Sequence, residues 1–270
     1  MEFRLTFSID TGSVVNKHFH DWLEIVYLVR GKLEFHDNNT ARLLRENEFV
    51  VVNPMSIHST RCTEGNTAIL LQLPMELLER VMPDVRSFRF RVEEEGAYEN
   101  DLEKQRAFLQ LRDILKELWM VYMAEEEGRL FHLYSMVYSL IFLLIRFFSL
   151  RVTDQIRLKS EKNMRRMQQV MEYIGAHYRE SLPLEKAAGE AGLNPVYFSR
   201  FFKEQAGISY LEYVNMVRLE HIYTDLRNTD LPIREIQERH GLYNDKMFRR
   251  LFRQAYGCTP QEARKKTEGS

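Results

Sequence analysis

Cysteine is nearly missing from this sequence: Cys62 and Cys258 stand far apart in 270 residues. That excludes a disulfide framework and a cysteine-based zinc site, and it suits a reducing compartment. No charge-free apolar run reaches the roughly 20 residues that a bilayer crossing requires. The candidate, LFHLYSMVYSLIFLLI, covers residues 130–145 and stops at Arg146. Its serines, tyrosines and histidine suit a protein interior, so a buried or dimer-forming helix is expected there, not a membrane span. The opening MEFRLTFSID lacks the unbroken apolar core and cleavage pattern of a secretion signal. The expectation is a cytoplasmic protein. A dominant charge sign is also missing, since the formal net charge is −1.

That total hides an asymmetry. Residues 1–158 carry 19 Lys/Arg against 24 Asp/Glu, a balance of −5, whereas residues 159–270 carry 19 against 15, a balance of +4. A mildly basic C-terminal part is compatible with nucleic acid. The length suits one large domain or two ordinary ones, and 44% hydrophobic residues supply material for their cores.

Residues 1–90 read as strands. LEIVYLV, KLEFHD, EFVVVN and TAILLQL are short, β-rich and separated by turn-forming residues, which predicts a small antiparallel sandwich or barrel. EEEGAYEND at 93–101 is an acidic break. From about 102 the period changes to helical, with Leu102, Phe108, Leu111, Leu115 and Leu118 near one face. Residues 150–163 are polar and charged and read as a linker, and the remainder is helical.

The C-terminal part contains an internal repeat. Residues 194–203, NPVYFSRFFK, align with residues 244–253, NDKMFRRLFR, and Gly207 and Gly257 close the two segments. Leu184, Ala187 and Ala188 before the first match Ile233, Ile236 and Gln237 before the second. Each unit is a short helix, a turn and a second helix. Asn194 and Asn244 can cap the second helices by accepting backbone N–H bonds, and Pro195 sits where its missing donor costs little. Phe198/Phe202 and Phe248/Phe252 recur four residues apart and anchor one face. Tyr197, Ser199, Arg200 and Lys203 then face outward from one helix, and Lys246, Arg249, Arg250 and Arg253 from the other. Major-groove docking requires such a face, with base-reading and phosphate-holding side chains side by side.

Over residues 167–267 this pattern resembles the DNA-binding domain of AraC/XylS-type bacterial transcription regulators. The resemblance rests on AAGEAGLNPVYFSRFFKEQAGISYLEYVNMVRLEHI and IREIQERHGLYNDKMFRRLFRQAYGCTPQEARK. It implies double-stranded DNA as partner, contacts to RNA polymerase, and no enzymatic activity. The second unit departs from the family at Gln237, Leu242, Asn244, Lys246, Met247 and Arg249, and the connecting helix departs at Ile222 and Asp225. Base reading is therefore expected mainly from the first unit, and phosphate contact from Arg249, Arg250 and Arg253.

The N-terminal part resembles the cupin-type barrel of metabolite-sensing members of the same family. Gly12, His18, His20, Glu24 and Gly31 follow its first motif; Pro54-Met55-Ser56-Ile57-His58 is a shortened second motif, and Glu48 replaces a usual glycine. Three readings stay open. His18, His20, Glu24 and His58 can hydrogen-bond a small polar effector against an apolar surface from Trp22, Tyr27 or Phe35. The same three imidazoles and carboxylate can bind a transition metal. Or they serve the barrel structure alone. The short second motif favours the organic effector, a sugar by family analogy, with no metal and no cofactor.

The resulting expectation is a two-domain α+β protein. A cupin-like β-barrel (1–95) carries dimerisation helices (96–150), and a linker (151–163) leads to an all-α domain with two helix-turn-helix units (164–270). It is expected to act as a homodimeric, effector-responsive activator of carbohydrate genes. The alternatives are control by a protein partner and a metal-dependent cupin enzyme fused to a DNA-binding domain.

Overall fold

A computed structural model describes residues 2–37, 40–62, 64–124 and 126–265. The chain divides into two compact units, Met1–Lys159 and Ser160–Ser270.

The first unit is built on eight strands: β1 (Arg4–Asp10), β2 (Val14–His18), β3 (Trp22–Gly31), β4 (Leu33–Asp37), β5 (Thr40–Leu44), β6 (Phe49–Val52), β7 (His58–Arg61) and β8 (Asn66–Pro74). The expected apolar segments at 23–29, 32–37, 48–53 and 67–73 supply β3, β4, β6 and β8. They form two antiparallel four-stranded sheets, in the orders β1-β8-β3-β6 and β2-β7-β4-β5. The expected closed cupin barrel is therefore corrected. Closure requires every strand to pair on both sides, and β1, β6, β2 and β5 each pair on one side only among the described residues. The sheets instead enclose a shared core of Val26, Leu28, Val50, Val52 and Ala68 from one, and Leu33, Phe35 and Leu44 from the other.

The other face of the first sheet is also covered. Leu23, Ile25 and Tyr27 of β3, with Ile69, Leu71 and Leu73 of β8, pack against α2 (Leu102–Met123) and α3 (Arg129–Phe147), which follow α1 (Met75–Val81) in the chain. A strand buried on both faces needs apolar residues without alternation, which is why LEIVYLV reads as an unbroken run. Phe7 of β1 stacks on Trp119 of α2 at 3.6 Å between centroids. At the end of β3, Gly31 has φ +89, and a Cβ there would run into the Gly65 carbonyl oxygen. The β3–β4 turn therefore requires glycine.

Among the described residues α3 alone is long and apolar enough to cross a membrane by length and composition. Leu133, Met136, Val137, Leu140, Ile141, Leu143 and Leu144 are buried in the core of this unit. The segment expected as a linker holds the last residues of β10 (Ser149–Arg151), which pairs with β9 (Phe88–Phe90), and the first turns of α4 (Asp154–His177).

The second unit continues from α4 through α5 (Leu184–Glu190), α6 (Pro195–Ala206), α7 (Tyr210–Asn228), α8 (Ile233–Arg239), α9 (Asp245–Tyr256) and α10 (Pro260–Lys265). Helix α7 is its spine. Tyr210 at its start makes edge contacts with Phe198 and Phe202 of α6. Leu219, Ile222 and Leu226 near its end share a cluster with Ile236, Leu242, Phe248 and Phe252. A polar bolt fastens the chain after α4 to this spine. The Tyr178 hydroxyl accepts from Arg179 and meets His240 Nδ1 at 3.2 Å, while His240 Nε2 meets Asp225 at 2.9 Å. Arg218 of α7 donates to the carbonyls of Tyr178 and Glu180.

Candidate ligand site and nucleic-acid interface

In the first unit, residues from both sheets converge on Glu24. His18 and His58 face each other across the β2–β7 pair, and Glu24 and Gln72 face each other across β3–β8. Strand β2 ends at His18, so His20 lies in the β2–β3 connection and not two places along a strand. It still reaches the cluster: its Nε2 is 3.1 Å from Glu24 Oε2. The same oxygen accepts from Gln72 Nε2 at 2.6 Å. His58 Nε2 lies 3.4 Å from Glu24 Oε1, longer than a good hydrogen bond. The ring centroids of His18 and His20 lie 4.2 and 5.0 Å from that of His58. One ring nitrogen from each of the three histidines falls within 4.8 Å of the others.

The electrostatics follow from burial. Glu24 is 3% exposed. Burial alone pushes its carboxyl up, but the contacts from His20, His58 and Gln72 outweigh that and hold it well below the usual carboxylate range. His58 Nδ1 is 3.0 Å from the Ser56 carbonyl oxygen, to which it donates. Among the described residues its buried Nε2 makes no well-formed hydrogen bond, and neither does His20 Nδ1.

The proposed walls divide. Phe35 is buried with its ring 6.1 Å from that of His58. Trp22 stands at 6.3 Å from His20 and carries the Arg4 guanidinium over its ring at 4.6 Å. Tyr27 does not join them. Its position puts it on the opposite face of β3, packed among Leu23 and Ile25 toward the helices, with its hydroxyl donating to Asn47. Two neighbours escaped the sequence reading. Gln72 was the odd polar residue in TAILLQL, on the same strand face as Ala68. Asp37 sits opposite His58 in the β4–β7 register, and burial raises its carboxyl pKa. No local signal marks Asp37.

In the second unit, α6 and α9 are built alike. Asn194 accepts from the Tyr197 N–H and Asn244 from the Met247 N–H, each at 2.9 Å. Both helices end on a left-handed glycine, Gly207 and Gly257. Phe198, Phe202, Phe248 and Phe252 are fully buried. Asn194, Tyr197, Ser199, Arg200 and Lys203 are exposed on the first helix, as are Asn244, Lys246, Arg249, Arg250 and Arg253 on the second. Arg249 is not equivalent to its neighbours, because Asp245 one turn earlier holds its Nε at 2.8 Å. Among the described residues Lys246, Arg250 and Arg253 form no ion pair. Gln237 is 2% exposed and its Oε1 has no hydrogen-bond partner among the described residues, so the polar departure in α8 is a buried one.

Residues 2–135 match the family described as AraC-like ligand binding domain, and residues 187–266 match the one described as helix-turn-helix domain. An uncharacterized HTH-type transcriptional regulator of Staphylococcus aureus strain MRSA252 is 22% identical over 257 residues, 95% of this chain and 33% of that protein. Regulatory protein PocR of Salmonella typhimurium is 35% identical over 99 residues, 37% of this chain and 33% of that protein. The chain thus spans about a third of the length of these relatives. The structure of ToxT from Vibrio cholerae is 12% identical, covers 97% of each chain and has a TM-score of 0.55. That likeness speaks for the fold alone.

Two corrections follow. The expected pair of helix-turn-helix units becomes one helix-turn-helix domain: a single match covers both helix pairs, and α7 packs with α6 at its start and with α8 and α9 at its end. The expected carbohydrate effector rested mainly on analogy with the cupin-type barrel of the family. With the sheets open and Tyr27 turned to the helices, that basis is gone.

Proposed function

We propose, for a chain that belongs to the AraC/XylS-type helix-turn-helix regulators, a DNA-binding transcription regulator whose N-terminal unit receives a small ligand. The family is regulatory and not catalytic. One observation carries the DNA reading. Helices α6 and α9 share an asparagine cap, a buried phenylalanine pair and an exposed cationic face. A helix N-terminus with outward cations suits a phosphate-lined groove. The ligand reading rests on the convergence of His18, His20, Glu24 and His58, flanked by Trp22 and Phe35. The same reading has the protein act in the cytoplasm, beside DNA.

Self-association belongs to the same reading. Phe131, Tyr138 and Phe142 are 85%, 39% and 62% exposed. Positions seven and eleven residues apart return to one helix face, so α3 presents an apolar stripe on the side away from its core. A second copy covers this stripe. Sedimentation of the full chain should show a dimer that Phe142→Glu converts to monomer without loss of helical signal. A monomeric parent chain would remove this element of the reading.

The DNA test is fluorescence anisotropy of the full chain against duplex DNA flanking its own gene. Arg200→Ala and Arg253→Ala should each weaken binding, with folding unchanged. Retention of full affinity by both variants would overturn the assignment of α6 and α9 as the DNA face.

A further inference from the structure

We propose that residues 84–91 are a relay: they hold the two chain connections that carry the ligand cluster and, on their other side, the strand that leads out of the first unit. This rests on the reading of His18, His20, Glu24 and His58 as the ligand site of that unit, and assigns the route by which its state reaches the DNA-binding unit.

Two members of the cluster depend on connections for their position. His20 lies in the β2–β3 connection, 19–21, and His58 opens β7 directly after the β6–β7 connection, 53–57. The Met55 N–H donates to the His20 carbonyl at 2.8 Å, which ties one connection to the other. Met55 does so at φ +64, a left-handed conformation that a residue with a side chain keeps only where its surroundings impose it.

Each connection is then fastened to the same segment. Asp21, next to His20, takes both terminal nitrogens of Arg86 at 2.8 Å each. A two-pronged pair of this kind fixes angle as well as distance. Both side chains are largely shielded, Arg86 20% and Asp21 30% exposed, so salt screens the pair less than a surface one. Asn53, the first residue of the other connection, accepts from the Phe90 N–H at 2.8 Å and donates to the Phe90 carbonyl at 2.7 Å. Its amide thus satisfies both backbone polar groups of Phe90, as a neighbouring strand does.

The segment also grips the exit. Phe90 stands opposite Ser149 and Phe88 opposite Arg151 in the β9–β10 ladder. Hydrogen bonds extend it at both ends, from the Arg91 N–H to the Phe148 carbonyl and from the Val152 N–H to the Ser87 carbonyl. Arg151 pairs with Asp84 and stands over the Phe88 ring. Helix α4 starts at Asp154, just past Val152, and carries the chain into the second unit. Among the described residues β9 and β10 pair only with each other. A two-stranded ladder is a weak element by itself, and weak elements are the ones that move in switching. Its position therefore follows the side-chain ties at Asp21 and Asn53. A ligand that favours one arrangement of the two connections favours one arrangement of the exit.

The test uses the full chain, with His20→Ala as the probe inside the cluster. Hydrogen exchange of residues 147–153 and affinity for duplex DNA flanking the gene should each change by at least about threefold, the scale that coupled networks carry. In an Asp21→Ala/Asn53→Ala background, where both ties are cut, His20→Ala should alter neither. Ile69→Val hollows the core on the helix side of the first sheet and should leave DNA affinity as in the parent, which separates the relay from a general loss of stability. Should the double background unfold, Asp21→Asn and Asn53→Asp, made singly, keep the side-chain shape, weaken one tie each and should each shrink the effect. A His20→Ala effect that persists in full once the ties are cut overturns the relay by showing another route. No effect on residues 147–153 in the parent background overturns it directly. The ligand reading fails differently: no compound in a panel of small polar metabolites would then raise the thermal midpoint of the parent chain.

Discussion

At the scale of single residues, Glu24 ties three side chains together. It is nearly inaccessible, and His20, His58 and Gln72 all direct polar atoms at it. Removing one member of a buried, hydrogen-bonded set leaves the others unsatisfied. Glu24→Ala should therefore cost about 1–3 kcal/mol in denaturant unfolding of the chain, and Glu24→Gln less, since it keeps the shape and one acceptor. A second outcome concerns Arg249. Its partner Asp245 neutralises it on the α9 surface, so Asp245→Asn should raise affinity for any duplex DNA, while Arg249→Ala should cost less than Arg250→Ala in the same anisotropy assay. A third is a pH dependence. Burial first, then the nearby His240, hold the His221 pKa below its ordinary 6.5. The unfolded chain then binds more protons than the folded one between the folded value and 6.5. This contribution to stability is complete above pH 6.5 and is lost as pH falls through the folded value. His221→Gln should flatten the fall in thermal midpoint over that window. The sequence marked His18, His20 and Glu24 because their spacing is local, and His58 only through the resemblance to a second motif. It missed Asp37, which β4–β7 pairing brings to the cluster, and it placed Tyr27 on the wrong side because a strand buried on both faces carries no alternation to count.

At the scale of elements, caps and periods were the most legible features. Asn194, Pro195 and Gly207 state the start and end of α6 in the chain itself, and Asn244 and Gly257 do the same for α9. Helix α4 was less legible. Its first turns read as a linker because DQIRLKSEKN is polar, yet polarity excludes burial and not helix; Gln, Arg, Leu, Lys and Glu are all good helix formers. The turn after α8 shows what a single atom can decide. Gly241 has φ +75, and a Cβ there would lie 2.7 Å from the Arg179 carbonyl oxygen. Gly241→Ala should destabilise the chain by about 1–3 kcal/mol, the usual cost of a strained backbone position, and lower the thermal midpoint accordingly. It should do so without touching a DNA-facing residue.

At the scale of the whole molecule, the overall charge of −1 conceals exposed cations gathered on two helices, α6 and α9. Affinity that depends on such cations falls steeply with salt. The slope of log affinity against log salt should drop by about 0.9 for each phosphate contact removed, so Arg250→Ala and Arg253→Ala should each lower it by about that amount. Open sheets, not a barrel, were beyond local reading. Composition and turn spacing reveal that β6 exists, but only long-range pairing decides whether its outer edge meets another strand. The openness has a mechanical side. His18 and His58 hang from one sheet, Glu24 and Gln72 from the other. Whatever sits among them works as a rivet through two plates. It should slow amide exchange in both layers together, so that the presence of a few atoms is converted into the stiffness of an entire unit.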